Sequence, residues 1–289
     1  MNSGWCFAAS SEEIEMSNSQ VTPDLRRWIA EQSAVGHTPE ALLGSMLASG
    51  WSAPAAEQAL DEVLRGRPLE VDQTTGLPVP VPVPDLSATA VGAQVIATML
   101  NPRIVVLGAV LSHDECDELV ALARPKLARS ETLELTTGGN AVHEARTSQG
   151  MFFAREENPL CARIERRIAD WFGWPIENGE GLQVLHYGPG AEYKPHYDYF
   201  DPAQPGTAPV LRRGGQRVAS VVMYLNTPTR GGGTVFPDVQ FEVAPVKGNA
   251  VFFSYDRPHP ATRSLHGGSP VIEGEKWVAT KWLRERRFE

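Results

Sequence analysis

Between residues 77 and 84 the chain reads Leu-Pro-Val-Pro-Val-Pro-Val-Pro. Alternate prolines fix φ and remove every second amide donor, so neither a helix nor a central strand can pass through this stretch. Polyproline II is the conformation left to it, and such a segment is a semi-rigid spacer. The tract therefore predicts a chain in two folded parts, with residues 67–88 as a Pro-rich linker. Such a strand is pre-ordered, so it would lose little entropy on docking into a groove.

The part before the tract is helical in pattern. Thr22-Pro23 and Thr38-Pro39 each place a threonine at N-cap and a proline in the first turn. Gly36, Gly50 and Gly66 sit where glycines stop helices. Leu25, Trp28 and Ile29, then Leu42, Leu43, Met46 and Leu47, then Ala59, Leu60, Val63 and Leu64 follow helical spacing. Three short amphipathic helices bury their stripes only against one another, which predicts a three-helix bundle over residues 22–66. Its size and rhythm resemble ubiquitin-associated bundles, and this implies a module that docks a protein or a stabilising appendage. Residues 1–21 read as a flexible extension. They lack the basic start of a secretory signal, and Met16 provides a second plausible start.

Charge separates the two parts as well. The net charge is −9. Most of that excess lies before residue 85, which holds 11 acidic and 4 basic residues. Nucleic acid is an unsuitable partner for such a chain, because phosphate binding needs clustered Lys and Arg. No apolar run reaches the 18 or so residues that cross a bilayer, so no membrane is expected. Three cysteines, Cys6, Cys116 and Cys161, neither pair off evenly nor show metal-ligand spacing. They predict a reducing, cytoplasmic setting.

Residues 89–289 change character. An apolar strand, Arg103-Ile-Val-Val-Leu107, precedes the capping box Ser112-His-Asp-Glu115 and a helix through Leu119 and Ala123. A second helix starts at Asn158-Pro159 and carries Ile164, Ile168, Trp171 and Phe172. Strand-like runs follow at Leu182–Tyr187, Val218–Leu225, Ala250–Ser254 and Trp277–Leu283, separated by Gly- and Pro-rich connectors. Helices followed by many strands predict an α+β fold with the helices bracing one sheet face.

The chemistry concentrates in Tyr193-Lys-Pro-His196-Tyr-Asp198. Residues two apart on a strand share a face, so His196 and Asp198 can present an imidazole and a carboxylate to one metal. His266 is the best third ligand. Two histidines and one carboxylate leave open positions on an octahedral ion, the arrangement of non-haem Fe(II) oxygenases. His259 lies between prolines and suits a solvated loop. On the last strand Lys276, Val278, Thr280 and Trp282 alternate with Trp277, Ala279 and Lys281. An inward lysine is costly unless a carboxylate meets it. A dicarboxylate cosubstrate at Lys276 would be such a partner, and Lys281, facing the other way, would be its control.

The strings Leu182-Gln-Val-Leu-His-Tyr187, Tyr193–Phe200, Gly215-Gln-Arg-Val-Ala219, Met223-Tyr-Leu225, Gly231–Pro237, Ser264-Leu-His266 and Gly274–Trp282, with Arg146-Thr-Ser148 upstream, resemble the prolyl 4-hydroxylase branch of the 2-oxoglutarate- and Fe(II)-dependent dioxygenases. The resemblance implies a double-stranded β-helix (jelly-roll) core and Fe(II) held by His196, Asp198 and His266. It implies 2-oxoglutarate and O2 as cosubstrates, with ascorbate as a further ligand. Lys276, Tyr187 and Thr234 would hold 2-oxoglutarate, and Tyr193, Arg217 and Trp282 would line the substrate groove. Strict alternation puts Tyr193 off the face of His196, so a kink at Pro195 must re-aim it. The implied reaction is hydroxylation of an unactivated C–H bond, of a prolyl residue in a peptide or protein. A small-molecule hydroxylase with the same cofactors and a non-catalytic metal-binding adaptor are the alternatives. His186, Gly233, Gly267 and Arg284 depart from the family pattern, and residues 201–214 read as a mobile lid beside the metal.

Overall fold

The computed structural model describes residues 23–34, 37–64, 78–84, 86, 93–129, 132–133, 140–141 and 147–289. The extension 1–21, most of the expected linker, and Thr22, Gly36, Gly66, His143 and Arg146 lie outside the described residues. The chain divides into two compact units, Met1–Gln73 and Thr74–Glu289.

Among the described residues, the first unit holds three helices: α1 (Pro23–Ala34), α2 (Pro39–Ala48) and α3 (Ala53–Leu64). The Thr38 hydroxyl accepts from Ala41 N at 3.3 Å and caps α2. Gly50 stands just beyond its end at φ 86°, a left-handed position that suits glycine. Leu25, Ile29, Leu42, Met46, Ala56, Ala59 and Leu60 form the core, with Trp28, Leu43 and Val63 packed against it. Leu47 and Leu64, expected inside, are exposed. Three short helices bury a narrower stripe than the spacing alone predicts.

The second unit is built on antiparallel strands. In chain order they are β1 (Gln94–Met99), β2 (Arg103–Gly108), β3 (Ala128–Arg129), β4 (Thr132–Leu133), β5 (Asn140–Ala141), β6 (Gln149–Phe152), β7 (Gln183–Tyr187) and β8 (Tyr193–His196). Then follow β9 (Arg217–Tyr224), β10 (Arg230–Gly231), β11 (Thr234–Phe236), β12 (Phe241–Val243), β13 (Ala250–Ser254), β14 (His266–Gly268), β15 (Val271–Glu273) and β16 (Lys276–Arg284). Eight of them make the main sheet, in the order β1-β2-β13-β9-β16-β7-β6-β3. A four-stranded sheet, β12-β11-β14-β8, supplies the second layer of the jelly roll.

Alternation along the main strands sorts side chains onto two faces. Val105 and Leu107 of β2, Val221 and Met223 of β9, and Trp277, Ala279 and Leu283 of β16 meet the helices α4 (His113–Ala123) and α5 (Pro159–Phe172). Ser112 and Glu115 form the expected capping box on α4, and Asn158 caps α5 through Cys161 N at 2.9 Å. The opposite residues, Ile104, Val106, Leu185, Tyr187, Tyr224 and Val278, face the smaller sheet and share a second core with Phe236, Phe253 and Tyr255. Helices thus cover one face of the sheet, and the other is left to line a site.

The proline tract departs from the spacer expected of it. Val79 N donates to Asp256 O at 2.8 Å, and Val79 and Val81 pack against the helix-side core. Pro82 and Pro84 are buried. With alternate amides removed, the valines are the residues that can both anchor the strand and fill the core. None of the tract's described residues lines the pocket between the sheets.

Candidate metal centre and its pocket

Cross-strand register sets the site. On the inner face of the main sheet Lys276 lies opposite Tyr187, and Val278 sits between Leu185 and Tyr224. Thr280 is opposite Val222, and Trp282 opposite Ser220. In the smaller sheet His196 pairs with His266, but Gly268, two residues on, pairs with Tyr193, three residues back. This extra residue in β8 is a bulge, and a bulge flips the facing of every residue beyond it. It brings Tyr193 onto the face of His196, where their rings stack at 3.7 Å and 24°. The expected kink at Pro195 is this bulge. A Cβ at Gly267 would stand 2.8 Å from Tyr193 O and 3.1 Å from Pro195 N, so the bulge has room only for glycine opposite it.

His196, Asp198 and His266 each turn one ligand atom to a common point, all within 4.8 Å of one another. Asp198 Oδ1 is 3.5 Å from His196 Nε2, and Oδ2 is 3.5 Å from His266 Nε2. Both imidazoles are oriented from behind. His196 Nδ1 donates to Lys194 O at 2.9 Å and His266 Nδ1 to Ser264 O at 3.0 Å. A carbonyl can only accept, so each Nδ1 carries a proton and each Nε2 is the nitrogen turned to the cluster, where a metal would be ligated. Burial pushes His266 down to about 4, which keeps its imidazole neutral. Burial also pushes the Asp198 carboxyl up, but the facing imidazoles and the Arg217 guanidinium more than reverse this and hold it well below the carboxylate range. Two imidazoles and one carboxylate are a donor set that fits Fe(II).

The same pocket is lined by Tyr187, Tyr193, Thr234, Lys276 and Trp282. Lys276 is 4% exposed. Among the described residues no hydrogen bond or ion pair engages it. Its ammonium lies 5.6 Å from the Tyr187 ring centre and 6.0 Å from that of Tyr224. Burial depresses it to about 8, against a weaker pull upward from Glu242. Thr234 Oγ1 accepts from the Tyr224 hydroxyl at 2.8 Å, which leaves the threonine's own proton for another acceptor. Tyr224 was not expected at the site. Its signal was its place on the inward alternation of β9, in register with Val278.

Arg217 does not line the pocket. It makes a bidentate pair with Glu180 at 2.7 and 2.9 Å, lies 3.9 Å over the Trp282 ring, and reaches Asp198 O at 3.5 Å. It backs the aspartate and stacks on the wall residue Trp282. The expected lid carries a short helix, α6 (Ala208–Arg212), and buried Thr207, whose hydroxyl bonds Asp201 O and Gln204 O at 2.8 Å each. Arg284 is fully buried and donates to Val210 O at 2.7 Å, tying that segment to β16. Gly233, a departure from the family pattern, has the Glu242 carboxylate beside it, with Oε1 2.1 Å from where a Cβ would stand. His186 pairs with Glu275 at 2.8 Å on the face away from the pocket. His259 caps a turn through Ala261 N at 3.0 Å.

Residues 182–284 match the 2OG-Fe(II) oxygenase superfamily. Prolyl 4-hydroxylase 5 of Arabidopsis thaliana is 40% identical over 211 residues, covering 65% of this chain and 70% of that protein. The chain belongs to the 2OG-Fe(II) oxygenase superfamily, in its prolyl 4-hydroxylase branch. Prolyl 4-hydroxylase 1 of the same plant is 43% identical over 204 residues, 64% of this chain and 70% of that protein. Probable prolyl 4-hydroxylase 7 is 38% identical over 210 residues, and this chain spans 65% of its length. Among solved structures, the viral collagen prolyl hydroxylase of Paramecium Bursaria Chlorella virus-1 matches at 29% identity and a TM-score of 0.49, over 63% of this chain and 95% of that one. Membership makes the chain an Fe(II)- and 2-oxoglutarate-dependent oxidoreductase, and it sets aside the non-catalytic adaptor.

Proposed function

We propose that the protein hydroxylates prolyl residues of a peptide or protein, with His196, Asp198 and His266 holding Fe(II) and Lys276 holding the distal carboxylate of 2-oxoglutarate. The observation that carries this reading is Lys276: a buried ammonium without a carboxylate, in the same pocket as two imidazoles and a carboxylate aimed at one point. Bound there, Fe(II) supplies the redox chemistry that couples 2-oxoglutarate decarboxylation to insertion of one oxygen atom into a C–H bond.

The protein's own part is binding, orientation and exclusion of water. A dianionic cosubstrate would restore the charge balance that burial of Lys276 upsets. Thr234 and Tyr187 offer hydroxyl protons along the same wall. Leu185, Val222 and Val278 make the floor apolar. Tyr193 and Trp282 present aromatic surface at the mouth, suited to the C–H faces of a pyrrolidine ring. Support for a prolyl substrate comes from the relatives, named prolyl 4-hydroxylases at 38–43% identity.

Succinate formation from 2-oxoglutarate, with Fe(II), O2 and ascorbate to keep the metal reduced, tests the reading. His196→Ala should abolish it. Lys276→Ala should retain it only at raised 2-oxoglutarate. Succinate formed by His196→Ala at the wild-type rate would contradict the assignment.

A further inference from the structure

Asp198 lies beyond the last residue of β8, where no strand ladder orients it. Its orientation comes from the other sheet. Ser220 sits on β9 opposite Trp282 and Phe253, and so faces the pocket side. Its Oγ donates to Asp198 Oδ2 at 2.6 Å. The same Oγ is 2.9 Å from the Tyr255 hydroxyl. Serine has one hydroxyl proton, and an ionised carboxylate only accepts. That proton is committed to Asp198, so Tyr255 must donate to Ser220. The relay therefore has one direction, from Tyr255 through Ser220 to Oδ2. All three residues are buried, Ser220 completely. Tyr255 is fixed in turn by its own amide, which donates to Val218 O at 3.0 Å. Asp198 Oδ1 faces His196 Nε2 at 3.5 Å and, among the described residues, receives no hydroxyl donor.

We infer that Ser220 and Tyr255 are positioning residues for the metal: their relay holds Oδ2, fixes the plane of the carboxylate, and leaves Oδ1 as the oxygen presented to the cation. A carboxylate free to turn about its Cβ–Cγ bond can also offer both oxygens, which consumes a coordination position. Holding one oxygen removes that option before the cation arrives. The inference rests on the reading of His196, Asp198 and His266 as ligands, and it concerns two residues outside that set.

The test uses Co(II) as a spectroscopic substitute on the full chain without cosubstrate. The Co(II) dissociation constant is measured against a competing chelator, together with the visible d–d absorption. Outer-shell partners of metal ligands typically contribute about 10–100-fold in affinity. Ser220→Ala should weaken Co(II) binding by about tenfold or more and shift the d–d bands. Tyr255→Phe should change both in the same direction by less. Tyr255→Phe removes a single oxygen atom, so it keeps the test open where Ser220→Ala fails to fold. If the wild-type chain binds Co(II) and both variants match its constant and spectrum, the relay is wrong while the ligand assignment stands. If the wild-type chain binds no Co(II), the ligand assignment fails and the inference fails with it.

Discussion

Lys276 and Lys281 lie on one strand, are both buried, and have opposite fates. Lys281 is paired with Glu165 of α5, whereas Lys276, among the described residues, has no ion-pair partner and lies near the Tyr187 and Tyr224 rings. Lys276→Ala should remove roughly 2–5 kcal/mol of 2-oxoglutarate binding, seen as a rise of about 30-fold or more in its KM. The depressed value of about 8 adds a pH dependence. Below it the lysine is charged and ready for the dianion. Above it, binding must take up a proton, so KM should climb by up to about tenfold per pH unit. Lys276→Arg should move that rise to higher pH, because guanidinium keeps its proton. A KM that stays flat from pH 7 to 10 (roughly the span over which such a lysine loses its charge) would contradict the anchor. The His-x-Asp pair and the inward lysine were legible in the sequence because both follow the two-residue period of a strand. Arg217 was not. Its ion-pair partner Glu180 is 37 residues away and on no shared element, and local pattern carries no trace of such a pairing.

At the scale of elements, α5 and β16 are joined by the buried Glu165–Lys281 pair, and Glu165 also accepts from Glu156 N at 2.6 Å. Lys281→Ala, expected to be a neutral control, leaves a buried carboxylate without its cation. It should cost about 3–5 kcal/mol, or on the order of 10 °C in Tm. The KM for 2-oxoglutarate of the folded fraction should stay unchanged, because Lys281 faces the helices. Lys281→Met with Glu165→Leu should recover much of the loss, as paired apolar replacements of buried ion pairs often do. Thermal melts of the three chains check this, and an unaltered melt for Lys281→Ala would contradict it. The helices, their caps and the main strands were readable from periodicity. The bulge in β8 was visible only as a conflict, since alternation and the expected role of Tyr193 disagreed. The short strands of the smaller sheet, three to four residues each, hold too little pattern to be read alone.

At the scale of the whole molecule, the units Met1–Gln73 and Thr74–Glu289 divide the work. The described residues that line the pocket all belong to the second unit. A chain shortened to begin at Thr74 should therefore form succinate as the full chain does. One beginning at Asp85 loses the packing of Val79 and Val81, and should melt about 3–6 °C lower for roughly 1–3 kcal/mol of lost burial. Equal melts for the two would show that the proline tract is only a spacer. That the tract breaks regular structure was plain from its prolines; that it is fastened to Asp256 depends on a partner far along the chain. The central claim, a prolyl hydroxylase centred on His196, Asp198 and His266, is tested most directly by mass spectrometry of a proline-rich peptide. The peptide is incubated with the 289-residue chain, Fe(II), 2-oxoglutarate and O2. The account predicts a gain of one oxygen atom, located on proline by fragmentation and absent with His196→Ala. Succinate formed without any oxygen on proline, across a panel of proline-rich peptides, would contradict the prolyl assignment. Peptide oxidation that persists in His196→Ala would contradict the metal centre.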